Sequence, residues 1–155
     1  MISPTPAHAG QQQQYLQRLQ AAVTASSERL ADEMSGAFAD IDLHLQSPRR
    51  ASWGADCEWL LSGLQNSSRT ALDLLVYAGH RERKEAEATQ RRIMTIMHQA
   101  RVHAQAAGDT VAPIVAASRI TSLIATAKED SASIYSDLRD ARARFGEQES
   151  RQRSM

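Results

Sequence analysis

The chain has 155 residues, with 18 basic and 18 acidic side chains and a formal net charge of zero. That length suits one ordinary domain, and the charge balance offers no electrostatic footprint for a nucleic-acid or polybasic membrane binder. Alanine contributes 26 residues, while Leu, Ile, Val and Phe together contribute only 28; with few β-branched runs, this composition argues against a β-rich fold and favours closely approaching helices.

Other classes drop out on the same reading. The longest apolar run, Leu74 to Ala78, is five residues, against the ~18–20 of a membrane span. The opening Met1-Ile2-Ser3-Pro4-Thr5-Pro6 lacks a basic stretch followed by an apolar one, so Sec-type export is not expected. A single cysteine, Cys57, allows no intramolecular disulfide and fits a reducing, cytoplasmic setting. Sixteen arginines against two lysines, Lys84 and Lys128, together with the alanine content, suggest a bacterial coding sequence.

Residues 1–10 read as a flexible tail without periodicity. From Gln11 a helical pattern begins, with Leu16, Leu19, Val23, Leu30, Met34, Ala37, Ile41 and Leu45 on one face. Ser47-Pro48 stops this first helix near 46, because proline disfavours helical geometry in the residue before it. Ser47 to Gly54 is a linker. It includes Trp53, expected to plug the end of the bundle, and Ser52, expected to cap the next helix.

The second helical region, about 55–107, carries the stripe Cys57, Leu60, Leu61, Leu64, Ser68, Leu72 and Leu75. The stripe runs on through Gly79 into a charged stretch, His80 to Glu87, and resumes at Ile93, Ile96, Met97, Ala100 and Ala104. An unbroken helix of this length would be about 80 Å and would overhang its neighbours, so a break near Gly79 is favoured. Glu87 and Arg91 are spaced for an i,i+4 pair. Gly108-Asp109-Thr110 reads as a helix stop followed by a new N-cap, with Pro113 tolerated in the first turn.

The last helix, about 110–145, places Ile120, Leu123, Ile124, Ala127, Ser131, Ile134, Leu138, Ala141 and Phe145 on one face. Gly146 is expected to end it, leaving a charged tail over 147–155. The predicted fold is therefore all-α: an antiparallel, coiled-coil-like bundle of three to four long helices, forming a single domain over 11–146 between disordered tails.

Motifs that carry chemistry are scarce. Met94, Met97, His98 and His103 are close in sequence but diverge around a helix, so no metal site is expected from them. Cys57 lies on the apolar stripe beside Asp56 and Glu58, where burial and negative charge both raise a thiol pKa; it reads as structural. No phosphate loop, nucleophile elbow or dinucleotide fingerprint is present, so no cofactor is expected. Arg49-Arg50-Ala51-Ser52 matches a basic-directed phosphorylation pattern, and Asn66-Ser67-Ser68 a glycosylation triplet.

The most informative feature is the back of the helix over 55–78. There Trp59 and Tyr77 point together, about 200° from Cys57, with Gly63, Asn66, Thr70 and Asp73 between them and Leu74 and Val76 at the flanks. Such a helix is either the central one, covered on both sides, or the carrier of a partner surface. The functional expectation is a non-catalytic protein that binds a protein partner or itself through this face, with Trp59, Tyr77, Gly63, Thr70 and Leu74 in the contact.

Three alternatives accompany it. The Ser/Pro/Thr-containing opening resembles the unfolded signals of contact-dependent secretion, implying a translocated protein or its helper that leaves by a non-Sec route. The Ala/Gln-rich amphipathic style is similar to that of the phasins, implying a coat on a granule or lipid surface. Arg91, Arg92, Arg101 and Arg119 would suit an anionic metabolite in a small all-helical enzyme.

Overall fold

Turn and breaker residues divide the chain into α1 (Pro6–Gln46), α2 (Trp53–Tyr77), α3 (Arg83–Ala106) and α4 (Pro113–Ser154). The computed structural model describes residues 6–154, apart from the side chains at 6–9, 12, 15, 16, 19 and 148–154. The expectations for Leu16 and Leu19 as core residues, and for residues 1–5 and 155 as tail, lie outside the described residues.

Short connections make consecutive helices antiparallel neighbours. α1 packs on α2, α2 on α3, α3 on α4, and α4 closes back on α1. α2 and α4 also touch across the diagonal, whereas α1 and α3 do not among the described residues. The fold is the expected all-α bundle in its four-helix form.

The break at Gly79 has a defined geometry. Gly79 adopts φ +68°, the left-handed region that favours glycine. Its N–H donates to the carbonyl of Val76, and the N–H of His80 donates to that of Leu75, both at 3.0 Å. These are the two crossed bonds of a Schellman stop, which satisfy the last carbonyls of α2. α3 ends differently: Ala107 is extended, and Gly108, at φ +91°, turns the chain so that its N–H donates to the Val111 carbonyl at 2.9 Å.

Several helix ends differ from the sequence reading. α1 starts at Pro6, a position where the missing proline N–H would have no helical partner anyway. Ser52 occupies the position before α2, but its hydroxyl donates to the Asp56 carboxylate at 3.0 Å rather than capping the backbone. Thr110 caps nothing: Gly108 N–H bonds the Val111 carbonyl, and the turn consumes the chain up to Pro113. Gly146 does not end α4, because it keeps helical φ and its neighbours Ala141 and Phe145 are buried. Glu87 pairs with Arg83 at 3.2 Å, not with Arg91.

At 1.5 Å per residue, α1 and α4 are each about 62 Å long, while α2 and α3 reach only about 37 Å. The pairs Asp42–Lys128 at 2.6 Å and Glu28–Arg142 at 2.7 Å set the antiparallel course of α1 against α4. The turn between α2 and α3 meets α4 at Asp137, so the remainder of α4 runs beyond that turn alongside α1.

The core follows the stripes. In α4 the buried positions Ala117, Ile120, Ile124, Ala127, Ser131, Ile134, Leu138, Ala141 and Phe145 alternate in steps of three and four, the spacing that keeps one seam facing a neighbouring helix. In α1 the buried place falls to Phe38, with Ala37 half-buried beside it. Among the described residues, eight of the core are alanine, and seven of these lie on α3 and α4. Their small side chains let helices approach closely. At the start of α2, a Cβ on Gly54 would sit 2.5 Å from the Ala104 carbonyl oxygen of α3.

Among the described residues, one charged group is sealed inside. Arg81, in the α2–α3 turn, has a side chain only 4 % exposed. Its guanidinium donates through Nε (3.0 Å) and Nη2 to Oδ2 of Asp137, through Nη2 to Ser133 at 2.7 Å, and through Nη1 to Thr89 at 3.1 Å. A buried charge survives only when paired and hydrogen-bonded, and this one joins the turn to α3 and α4 together.

Three variants test these contacts by urea unfolding followed by circular dichroism. Arg81→Ala, which leaves the half-buried Asp137 carboxylate without its partner, is expected to cost about 3 kcal/mol. Gly54→Ala is expected to destabilise by about 1–3 kcal/mol because backbone must move, whereas Gly36→Ala, where a Cβ meets nothing within 4 Å, should stabilise by up to about 1 kcal/mol.

Candidate functional site

α2 has two unlike faces. Cys57, Leu61, Leu64, Ser68, Ala71, Leu72 and Leu75 are buried, and through them the helix meets all three others. Residues half a turn away point outward. Trp59 is 76 % exposed and Tyr77 52 % exposed, and Gly63, Asn66, Thr70 and Asp73 between them are also exposed. α2 has three neighbours, yet among the described residues none covers Trp59, which speaks against the central-helix alternative.

Eighteen residues make five helical turns, so Trp59 and Tyr77 share one azimuth about 27 Å apart. Gly63 has nothing within 4 Å of where a Cβ would stand. Thr70 turns its hydroxyl back to the Asn66 carbonyl at 3.0 Å, leaving a low surface between the aromatics. Leu74 behaves differently from the other residues assigned to the contact: it is half-buried and packs against the core. On the α3 side, Met94 borders a groove with Asn66 and is 46 % exposed, and Val102 is 49 % exposed. The Arg101–Gln65 hydrogen bond sets the register of α3 on α2 along this surface.

Trp53 shows what a covered aromatic looks like in this chain. It is 1 % exposed, its Nε1–H donates to the His44 carbonyl at 2.9 Å, and its ring stacks on the His44 imidazole at 5.5 Å between centroids. It closes the end of the bundle as expected, though as the first residue of α2 rather than in the linker.

The remaining candidates disperse. Met97 is fully buried, whereas Met94 and His98 are exposed and His103 is half-buried. Arg92 faces α4, where it bonds Asp130 at 3.3 Å, and Arg101 faces α2; Arg91 and Arg119 are exposed. A groove of about 690 Å³ lies at the bundle end, lined by Pro48, Arg49, Arg50, Pro113 and Ile114 among others. Sequence reasoning missed the approach of His80 to Asp137 and Asp140. Only the i,i+3 spacing of the two aspartates was visible; His80 is far away in the chain and arrives through the Gly79 turn.

Cys57 is completely buried, and burial pushes its thiol from the ordinary 9.0 up to about 11. A raised folded-state value means that the stabilisation is complete below about pH 9 and is lost as pH climbs toward 11. In the native protein at pH 8, Cys57 is expected to react with a thiol reagent at least tenfold more slowly than in urea; equal rates would place it at the surface. Among the described residues, no helix is long and apolar enough to cross a membrane. Searches for similar protein families, curated proteins and solved structures find no match to this chain.

Proposed function

We propose that this protein is a non-catalytic helical assembly protein whose outward α2 face binds the same face of a second copy. The observation that carries the reading is Trp59, 76 % exposed on a helix whose opposite side is sealed into the core. Large aromatics are concentrated at protein interfaces, where their area is recovered on association.

The face suits its own copy. A two-fold, antiparallel pairing of α2 with α2 sets Trp59 of one copy against Tyr77 of the other, and an isologous contact repeats this pair at both ends. Between them, Gly63 and Thr70 allow the helices to approach closely. The apolar stripes needed for coating a granule are directed into the core, and the four arginines suited to an anion do not share a face, so no observation raises those alternatives above this one.

Light scattering of the purified chain over a concentration series should report a dimer. Trp59→Ser with Tyr77→Ser should return it to monomer with helical circular dichroism unchanged. Gly63→Arg, placed where nothing stands within 4 Å, should do the same by blocking close approach. A wild-type chain that stays monomeric at every concentration would refute the self-association reading.

A further inference from the structure

We infer that His80, Asp137 and Asp140 form a binding site for one divalent transition-metal ion of the zinc type, which clamps the α2–α3 turn onto α4. One imidazole nitrogen and one oxygen from each carboxylate lie within 4.8 Å of one another. Asp137 and Asp140 stand one turn apart on α4, and His80 reaches them from the Gly79 stop. The donors thus come from two separate segments of the fold.

The donor chemistry selects the ion. A nitrogen ligand with two carboxylates matches zinc and its neighbours in the first transition row, whereas magnesium and calcium favour sites made of oxygen alone. Three protein ligands with the remaining side open leave a position for water. Bonds of about 2.0–2.1 Å in a tetrahedron bring donor atoms to about 3.3 Å from one another. Reaching that distance from 4.8 Å takes a small movement, and Asp140, exposed on the helix surface, has the freedom to make it.

Arg81 is the obvious competitor for Asp137. It engages Asp137 through Oδ2, and a carboxylate has a second oxygen to offer an ion. A ligating carboxylate commonly has its second oxygen held by an outer partner that fixes its orientation. Arg81, itself held by Thr89 and Ser133, orients Asp137 in this way. Its positive charge offsets part of the negative charge of the two aspartates.

The test uses the full chain, free of any polyhistidine tag, titrated with Zn²⁺ in a calorimeter at pH 7.5 with Mg²⁺ as the comparison ion. One Zn²⁺ per chain should bind and raise the thermal midpoint, with no response to Mg²⁺. His80→Ala and Asp140→Asn should each weaken Zn²⁺ binding at least tenfold while keeping wild-type helicity in the absence of metal. Asp140 is exposed, so its variant reads the site without disturbing the core. Absence of Zn²⁺ binding to the wild type, or wild-type affinity in either variant, overturns the assignment.

Discussion

A guanidinium sealed from water is the constraint around which this bundle is arranged. Arg81 stands two residues after the glycine stop, so the place where α2 ends and the place where the charge is delivered are set together. Its partners, Thr89 on α3 and Ser133 and Asp137 on α4, belong to two helices that must stand in one register for the charge to be satisfied. A slip of one turn along α4 would strand the cation in a dry interior, which costs several kcal/mol. Apolar contacts along slim helices tolerate sliding far better than this. The arginine therefore supplies positional specificity that the apolar seam lacks.

That seam is slim because alanine fills so much of it. Alanine contributes little area per residue, so the core relies on close helix approach, as at Gly54 and Ala104, and on a few large side chains such as Trp53, Phe38 and Met34. In a chain with so few large apolar groups, leaving Trp59 outside sacrifices a substantial fraction of what burial offers. The same economy explains the unequal helix lengths. Two helices suffice to cover each other beyond Asp137, where Phe145 is still buried, and four are needed only where larger residues gather.

Much of the architecture was legible in the residues. The α4 stripe from Ile120 to Phe145, the break at Gly79 and the burial of Trp53 and Cys57 all follow from periodicity and backbone chemistry, which act locally. Helix ends were harder to read. Ser52 and Thr110 are good caps by type, but one has Asp56 within reach and the other sits in a turn that Gly108 already shapes. Gly146 breaks a helix only when its backbone leaves helical φ, and neighbouring burial holds it in place. Arg81 looked like one charge among many in a solvated run, since its partners are distant in the chain. The two faces of α2 were visible on a helical wheel, yet whether a neighbour covers Trp59 depends on where three other helices stand.

The chain's two tryptophans occupy opposite environments, one stacked on His44 beneath the core and the other almost fully hydrated. Nature has in effect supplied separate optical reporters on a single helix. Emission from the hydrated indole shifts and loses quencher access when something settles on that flank, while the hidden one brightens or dims only as the interior loosens. Adhesion and melting thus leave distinguishable spectral traces without any added label.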